Sequence, residues 1–286
     1  MNDNPFVSFY GEHGISPVHQ DVRNIDVHIR RREKLYRMLG LPPVAFSKGR
    51  VLEVGPGGGH NALALFYWGA SVDFVEPNPA AQAEIPELMR QHGIANNRWS
   101  IYPGLVETFP AEEQYDIVLA EGILPGLSNT HEVIAKLQLL VRNGGVVVVT
   151  CMDDISSFFE NTKRIVAERL VRRIPAFPER VAILCKAFDT HLRSLRNATR
   201  PIEDWVADAF LFPTSRCTLF GMDDAMAGFG RDYHLLGSSP SLFVDYSWYK
   251  DLEYDARAAC LLQFHRKRHA LLHYDLEESQ RSVDAN

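Results

Sequence analysis

Three glycines at alternate positions, Gly55, Gly57 and Gly59, follow the apolar run Val51-Leu52-Glu53-Val54 and precede His60-Asn61. Such a run predicts a buried strand, and the glycines behind it a sharp turn into a helix. With no side chains there, backbone N–H groups approach a ligand closely, and the N-terminus of the next helix points at it. A dinucleotide loop of spacing G-x-G-x-x-G needs glycine at position 60, where this chain has His60. An acid, Glu53, stands two residues before the first glycine. A carboxylate there is poorly placed for a pyrophosphate and suits a ligand carrying an ammonium group. A second apolar run, Val72-Asp73-Phe74-Val75, ends in Glu76, where an acid accepts hydrogen bonds from both hydroxyls of a ribose. Together these residues describe a site for an adenosine compound with an amino-acid tail and no phosphates.

Further candidates lie outside this loop. Glu121 follows an apolar run ending at Ala120, on the edge where open α/β sheets hold ligands. His19 and Asp21 belong to an N-terminal segment placed to cover the mouth of the site, and either has the chemistry of a general base. Asn61 reads as a cap of local backbone. The run Arg30-Arg31-Arg32 is expected on a solvated helix face, with a grip on a phosphorylated acceptor as the alternative. Trp205 with Asp204 and Asp208 reads as a core anchor with helix charges, with an acceptor site as the alternative. The aromatics Tyr246, Trp248 and Tyr249 beside Asp245 are expected to be buried, with sugar stacking as the alternative. His265, His269 and His273 share a helical face at metal-ligand spacing, but Arg266, Lys267 and Arg268 are interleaved; solvated side chains and no metal are expected.

These residues need a frame, and the pattern supplies one in three parts. Residues 1–46 hold a loop and then a helix over Val22–Leu39, stopped by Gly40 and Pro42-Pro43. Residues 47–151 alternate: strands at Arg50–Val54, Ser71–Val75, Ser100–Tyr102, Asp116–Ala120 and Gly145–Thr150, helices at Asn61–Trp68, Ala80–Gln91 and Thr130–Val141. Continuous apolar strands between helices predict a doubly wound α/β core with a mostly parallel sheet. Residues 152–286 turn mainly helical, with a break near Ile174–Pro178, a further strand near Tyr233–Leu236, and one long tail helix over Tyr249–Leu276. That region is expected to cap the acceptor side, and the tail offers a surface for a homodimer.

Composition narrows the function classes. The chain has 286 residues and a net charge of −6, which excludes a bulk polycation built for nucleic acid. No apolar run approaches the roughly 18 residues of a membrane span, and the N-terminus lacks the pattern of a signal peptide. Cys151, Cys185, Cys217 and Cys260 are scattered without CxxC spacing, as expected of reduced thiols in the cytoplasm.

At this point a resemblance is plain. Glu53 to Gly59 looks like the first motif of class I S-adenosylmethionine-dependent methyltransferases, and Glu76 matches their ribose-binding acid. Tyr115 to Gly122 resembles their fourth-strand motif, and Gly144-Gly145 the turn into their fifth strand. The resemblance implies a Rossmann-like core, S-adenosylmethionine as cofactor, and cofactor contacts from Glu53, Gly55, Pro56, Gly57, Gly59, Glu76, Pro77, Leu105, Val106 and Glu121. It implies methyl transfer to a small or medium-sized acceptor, with His19, Asp21 and Glu121 as candidate bases. One departure stands out: Leu105 occupies the place where many members carry an Asp toward the adenine amino group. The flanks, Phe9-Tyr10 through Pro17 to Asp21, Glu203 to Trp205 and Ser238 through Lys250, more loosely resemble methyltransferases found with bacterial surface-polysaccharide genes. That suggests a hydroxyl of a sugar-like acceptor. The rival readings are a non-catalytic cofactor-binding scaffold or regulator, an NAD(P)-dependent oxidoreductase, and an aminopropyl transferase.

Overall fold

The computed structural model describes residues 4–110, 112, 114–195, 198–213 and 219–272. Five strands, β1 (Arg50–Val54), β2 (Ser71–Val75), β3 (Trp99–Tyr102), β4 (Tyr115–Ala120) and β5 (Val141–Val149), form one sheet in the order β3-β2-β1-β4-β5. Every pair is parallel. The helices are α1 (Pro5–His13), α2 (Ile25–Met38), α3 (Ala62–Tyr67), α4 (Pro79–Gln91), α5 (Thr130–Leu140), α6 (Phe158–Val171), α7 (Phe177–Ser194), α8 (Ile202–Trp205), α9 (Met222–Phe229) and α10 (Ala256–Lys267). A π-helical turn, Val206–Leu211, continues α8.

A sheet covered on both faces needs strands that are apolar on both, and Val51, Leu52, Val118 and Leu119 are fully buried. One face packs Val51, Phe74 and Leu119 with Tyr36 of α2, Leu63 and Phe66 of α3, and Ile85 and Met89 of α4. The other packs Leu52, Val75 and Val118 with Ile134 and Leu137 of α5 and Ala225 of α9. This is the doubly wound core that the alternating pattern predicts. A third apolar cluster lies apart from the sheet: Ala167 and Val171 of α6, Leu184 and Leu192 of α7, and Val206 and Phe210 of the π turn.

Several elements depart from expectation, each for a local reason. Helix α1 replaces the expected loop: Asn4 accepts the N–H groups of Phe6 and Val7, Pro5 opens the helix, and Gly14 closes it at φ 60°. Helix α2 starts at Ile25 rather than Val22, because the Asn24 side chain caps it on Val27 N–H at 3.2 Å. Strand β5 begins at Val141, four residues before the expected start. Val141 pairs with Tyr115, the register shifts, and pairing resumes at Val146 opposite Ile117. Arg142 Nε donates to Asp116 Oδ1 at 2.5 Å across the shift. A Cβ on Gly145 would stand 2.8 Å from the Asp116 carbonyl oxygen, so only glycine fits there.

Residues 233–236 form no strand. The Tyr233 carbonyl accepts instead from Arg257 Nη1 at 2.9 Å. Leu236 lies against Gly40, and Gly237 lies against the backbone of Met38 and Leu39, so the segment covers the end of α2. The tail is not one helix from Tyr249: α10 starts at Ala256, where Asp255 caps Ala258 N–H, and tightens to a 3-10 turn over Arg268–Leu272. The rest of the expected tail helix, with His273, lies outside the described residues. No helix among the described residues is long and apolar enough to cross a membrane.

Candidate active site

The strand order reverses between β1 and β4, so the loops at their carboxyl ends diverge and leave a crevice. The crevice encloses about 1300 Å³ including its open mouth.

One half is built from the strand ends. Gly55 and Gly57 adopt φ 68° and 56°, conformations that side chains resist, and both line the crevice with Glu53, Pro56, Glu76 and Pro77. Leu105 and Val106 line it as well; an apolar wall stands where the departure from the common Asp was noted. Glu53 is buried, and its Oε2 has no hydrogen-bond partner. Burial, then the Glu121 and Glu76 carboxyls, push it up to about 8 against the pull of Arg32. An orphaned acid of this kind is costly unless a cation arrives. Glu76 is held by the N–H groups of Gly57 at 3.0 Å and Asn78 at 2.8 Å. Burial nevertheless raises it to about 7. Each of its oxygens accepts one of these bonds and has a further lone pair for a ligand hydroxyl.

Gly59 has a different task. It does not line the crevice; a Cβ there would stand 3.4 Å from Ile85 and Met89 on α4, at φ 79°. Gly59→Ala is expected to cost about 1–2 kcal/mol of stability, the strain of a left-handed non-glycine residue. Urea unfolding reads this, while ligand affinity in the crevice stays within about twofold of wild type.

The other half is a roof. Ser16, Pro17, Val18 and Gln20 line the crevice, and a Cβ on Gly57 would reach 2.1 Å from Val18 Cγ2. Asn78 Nδ2 ties this strap down by donating to the Ile15 carbonyl at 2.9 Å. His19 Nδ1 lies 2.6 Å from Asp204 Oδ2, and its Nε2 3.2 Å from Glu84 Oε2. Burial pulls this imidazole down, but the Asp204 hydrogen bond and the Glu84 charge outweigh it and leave it above its ordinary value. His19 is therefore a clasp between strap, α4 and α8, with both ring nitrogens engaged. Asp21 is exposed and pairs with Arg23, whose side-chain and backbone hydrogen bonds hold it at about 2. Neither His19 nor Asp21 lines the crevice.

Glu121 does line it, but it is not free. Arg32 Nη1 and Nη2 donate to its two oxygens at 3.0 and 2.6 Å, and Tyr36 donates at 2.7 Å. Burial pushes this acid up, and Arg32 with Tyr36 outweighs burial and holds it below its ordinary range. The expectation of a solvated arginine run thus fails for Arg32, which is buried; Arg30 and Arg31 are exposed. Asn61 lines the crevice and makes no side-chain cap bond, contrary to its expected role.

Sequence reasoning assigned no site role to Tyr10 or Arg200. Tyr10 donates to Asp208 Oδ1 at 2.5 Å, Arg200 donates to Asp208 Oδ2, and all three residues line the crevice. The signal that a helix would present Tyr10 was the pair Asn4-Pro5 with Gly14 behind it. Asp204 and Asp208 are not solvated helix charges; both bind the N-terminal segment. Tyr246, Trp248 and Tyr249 are 76, 64 and 79% exposed, contrary to their expected burial, and none lines the crevice. His265 pairs with Asp223 at 3.1 Å.

Comparison with known proteins agrees with this architecture. No curated protein sequence matches the chain. Among solved structures, PKMT2 from Rickettsia typhi is 16% identical over 75% of this chain and 42% of its own, at TM-score 0.50. The CcbJ methyltransferase from Streptomyces caelestis is 20% identical over 54% of this chain and 58% of its own, at TM-score 0.37. The glycopeptide N-methyltransferase MtfA, complexed with S-adenosyl-L-methionine, is 18% identical over 38% of this chain and 50% of its own, at TM-score 0.34. The alignments thus span about half the length of these proteins. The family model described as a methyltransferase domain matches residues 27–198, more than half of the chain and every strand of the sheet. With the glycine loop, the orphaned acid and Glu76 at the ends of β1 and β2, the chain belongs to the methyltransferase-domain family, in its class I S-adenosylmethionine-dependent form.

Proposed function

We propose that the protein methylates a hydroxyl of a sugar or sugar-like metabolite, using S-adenosylmethionine as donor. The observation that carries the cofactor half is Glu53, a buried acid whose Oε2 lacks a partner beside the glycine loop. The bound cofactor supplies a methyl group on a sulfonium, already activated for attack. Glu53 answers the cofactor's ammonium, Glu76 its ribose hydroxyls, and Pro77, Leu105 and Val106 the faces of its base. The strap and the cap exclude water from the acceptor half. Holding two reactants in line supplies roughly 7–11 kcal/mol, against roughly 3–5 kcal/mol for a general base. Positioning is the larger contribution, which fits a site rich in orienting contacts. In this reading residues 47–151 hold the cofactor, while 1–46 and 152–286 shape the acceptor side. The loose resemblance of the flanks to polysaccharide-associated methyltransferases supports the sugar.

The one guanidinium among the described crevice residues, Arg200, is already paired with Asp208, so a pyrophosphate finds no free cation there, which weighs against a dinucleotide-dependent oxidoreductase. The test is a screen with methyl-labelled S-adenosylmethionine against sugars, polyols and amines. Label in a hydroxyl with stoichiometric S-adenosylhomocysteine supports the reading. Cofactor binding without transfer to any acceptor would turn it to a scaffold, and transfer only to nitrogen would overturn the hydroxyl.

The cofactor half has a pH signature. At pH 6 the empty site holds Glu53 protonated, because its value is about 8. An acid raised in the fold costs the free protein stability from its ordinary range near 4.5 upward, and a bound cation offsets that cost. Binding at pH 6 therefore releases a proton, and affinity rises by up to about tenfold per pH unit. The rise ends near pH 7.7–8.0, where an α-amine loses its own charge. Calorimetry in two buffers of different ionisation enthalpy measures the released proton; a flat profile with no release would contradict the assignment of Glu53.

A further inference from the structure

The geometry points to Tyr10, Arg200 and Asp208 as the acceptor subsite, built for an uncharged polyol such as two neighbouring hydroxyls of a sugar ring and closed to phosphorylated or carboxylated acceptors. This inference deepens the methyltransferase reading above and rests on it.

The three residues come from α1 and from the segment around α8, with 198 positions between Tyr10 and Asp208. All three line the crevice. Asp208 is shared: Tyr10 O–H donates to one oxygen and Arg200 Nη1 to the other. Each carboxylate oxygen retains a lone pair. Arg200 stands 5.8 Å from the Trp205 ring centroid and retains Nε–H and its second terminal nitrogen, which have no hydrogen-bond partner among the described residues. Donors and acceptors thus stand side by side. A hydroxyl both donates and accepts, so one hydroxyl can give its hydrogen to Asp208 while its neighbour accepts from Arg200.

Charge decides between a neutral and an anionic acceptor. Arg200 is the one guanidinium or ammonium among the described crevice residues, and Asp208 already neutralises it. Of the other acids lining the same space, Glu121 is already held by Arg32, so an incoming phosphate or carboxylate meets no free guanidinium or ammonium among the described crevice residues. Phe6, Val7, Ile123 and Leu127 add apolar lining for the C–H face of a ring, with Phe6 stacked on Phe212 at 4.6 Å.

The test uses the full chain with S-adenosylhomocysteine bound. Saturation-transfer NMR is recorded with methyl glycosides of glucose, galactose, mannose and rhamnose, and with hexose 6-phosphates and hexuronic acids. Calorimetry follows S-adenosylmethionine on every sample. A neutral glycoside is expected to give signal and the anionic sugars none. Asp208→Asn should weaken the glycoside at least about tenfold and Tyr10→Phe several-fold, with cofactor affinity within about twofold of wild type. The phenylalanine variant keeps the ring packing, so it decides the matter if the asparagine variant does not fold. Binding only of the anionic sugars, of no sugar, or of glycosides equally by the variants would overturn the subsite. Failure of the wild type to bind S-adenosylmethionine would instead overturn the methyltransferase reading itself.

Discussion

Replacing Gly57 by arginine is expected to lower S-adenosylmethionine affinity by at least about 100-fold, roughly 2.7 kcal/mol, while far-ultraviolet circular dichroism stays that of the wild type. Three effects act in the same direction. Gly57 sits at φ 56°, where a side chain costs about 1–2 kcal/mol. A Cβ there points into the strap, 2.1 Å from Val18 Cγ2, so the roof must lift. The guanidinium then enters a crevice lined by Glu53 and Glu76 and neutralises the carboxyls that the cofactor's cation needs. The core is spared, because the buried clusters on both faces of the sheet do not include Gly57 or Val18. Gly57→Ala separates the contributions: it keeps the strain and the Val18 contact but adds no charge, and should lose about tenfold. Calorimetric titration measures both variants. An arginine variant that binds within about threefold of wild type would remove the glycine loop from the cofactor site.

How much of this was legible in the sequence depended on the reach of the contacts involved. The bounds of β1 and β2 agree with expectation, because strands buried on both faces are written as unbroken apolar runs. The glycine loop was legible for a similar reason: Glu53, Gly55 and Gly57 act through their own backbone turn. The first residues of β5 were not, because Arg142-Asn143-Gly144-Gly145 reads as a turn and is held in the sheet by Asp116 of the neighbouring strand β4, 26 positions away. Residues 233–236 read as a strand, but Arg257 takes the Tyr233 carbonyl. The grouping of Tyr10, Arg200 and Asp208 had little local signature beyond the Asn4-Pro5 and Gly14 bounds of α1. Tyr10, Arg200 and Asp208 are ordinary residues until the chain folds α1 onto the cap. The same long-range pairing shows why His19 and Glu121 looked available: their partners Asp204 and Arg32 stand 185 and 89 positions away.

The Arg32 pairing carries the largest stability effect. Arg32→Met is expected to destabilise the fold by about 3–5 kcal/mol at pH 7, the cost of stranding one member of a buried ion pair. Arg32 is 9% exposed; it donates to both oxygens of Glu121, and its Nη2 also donates to Tyr36 O–H at 2.8 Å. Methionine fills much of the volume but leaves Glu121 with Tyr36 alone, and it removes the cation that opposes the rise of Glu53. The pH dependence separates this from a packing defect. In the wild type Glu121 lies below its ordinary value, so its contribution is present above the unfolded carboxyl range and is lost as pH falls through the folded value. In the variant burial raises Glu121 instead, so stability falls as pH rises from about 4.5 upward. The gap between the two proteins should therefore be widest at pH 7 and narrow toward pH 4 in urea unfolding. Arg32→Met with Glu121→Gln should recover much of the loss, since a neutral amide carries no stranded charge. A gap independent of pH, or no recovery in the double variant, would assign the cost to packing. The pair fixes α2 to the loop after β4, on the edge of the sheet that opens into the crevice. For that reason Glu121 serves this site as a fixed wall, whereas Asp208 accepts one bond on each oxygen and keeps a lone pair on each for an acceptor hydroxyl.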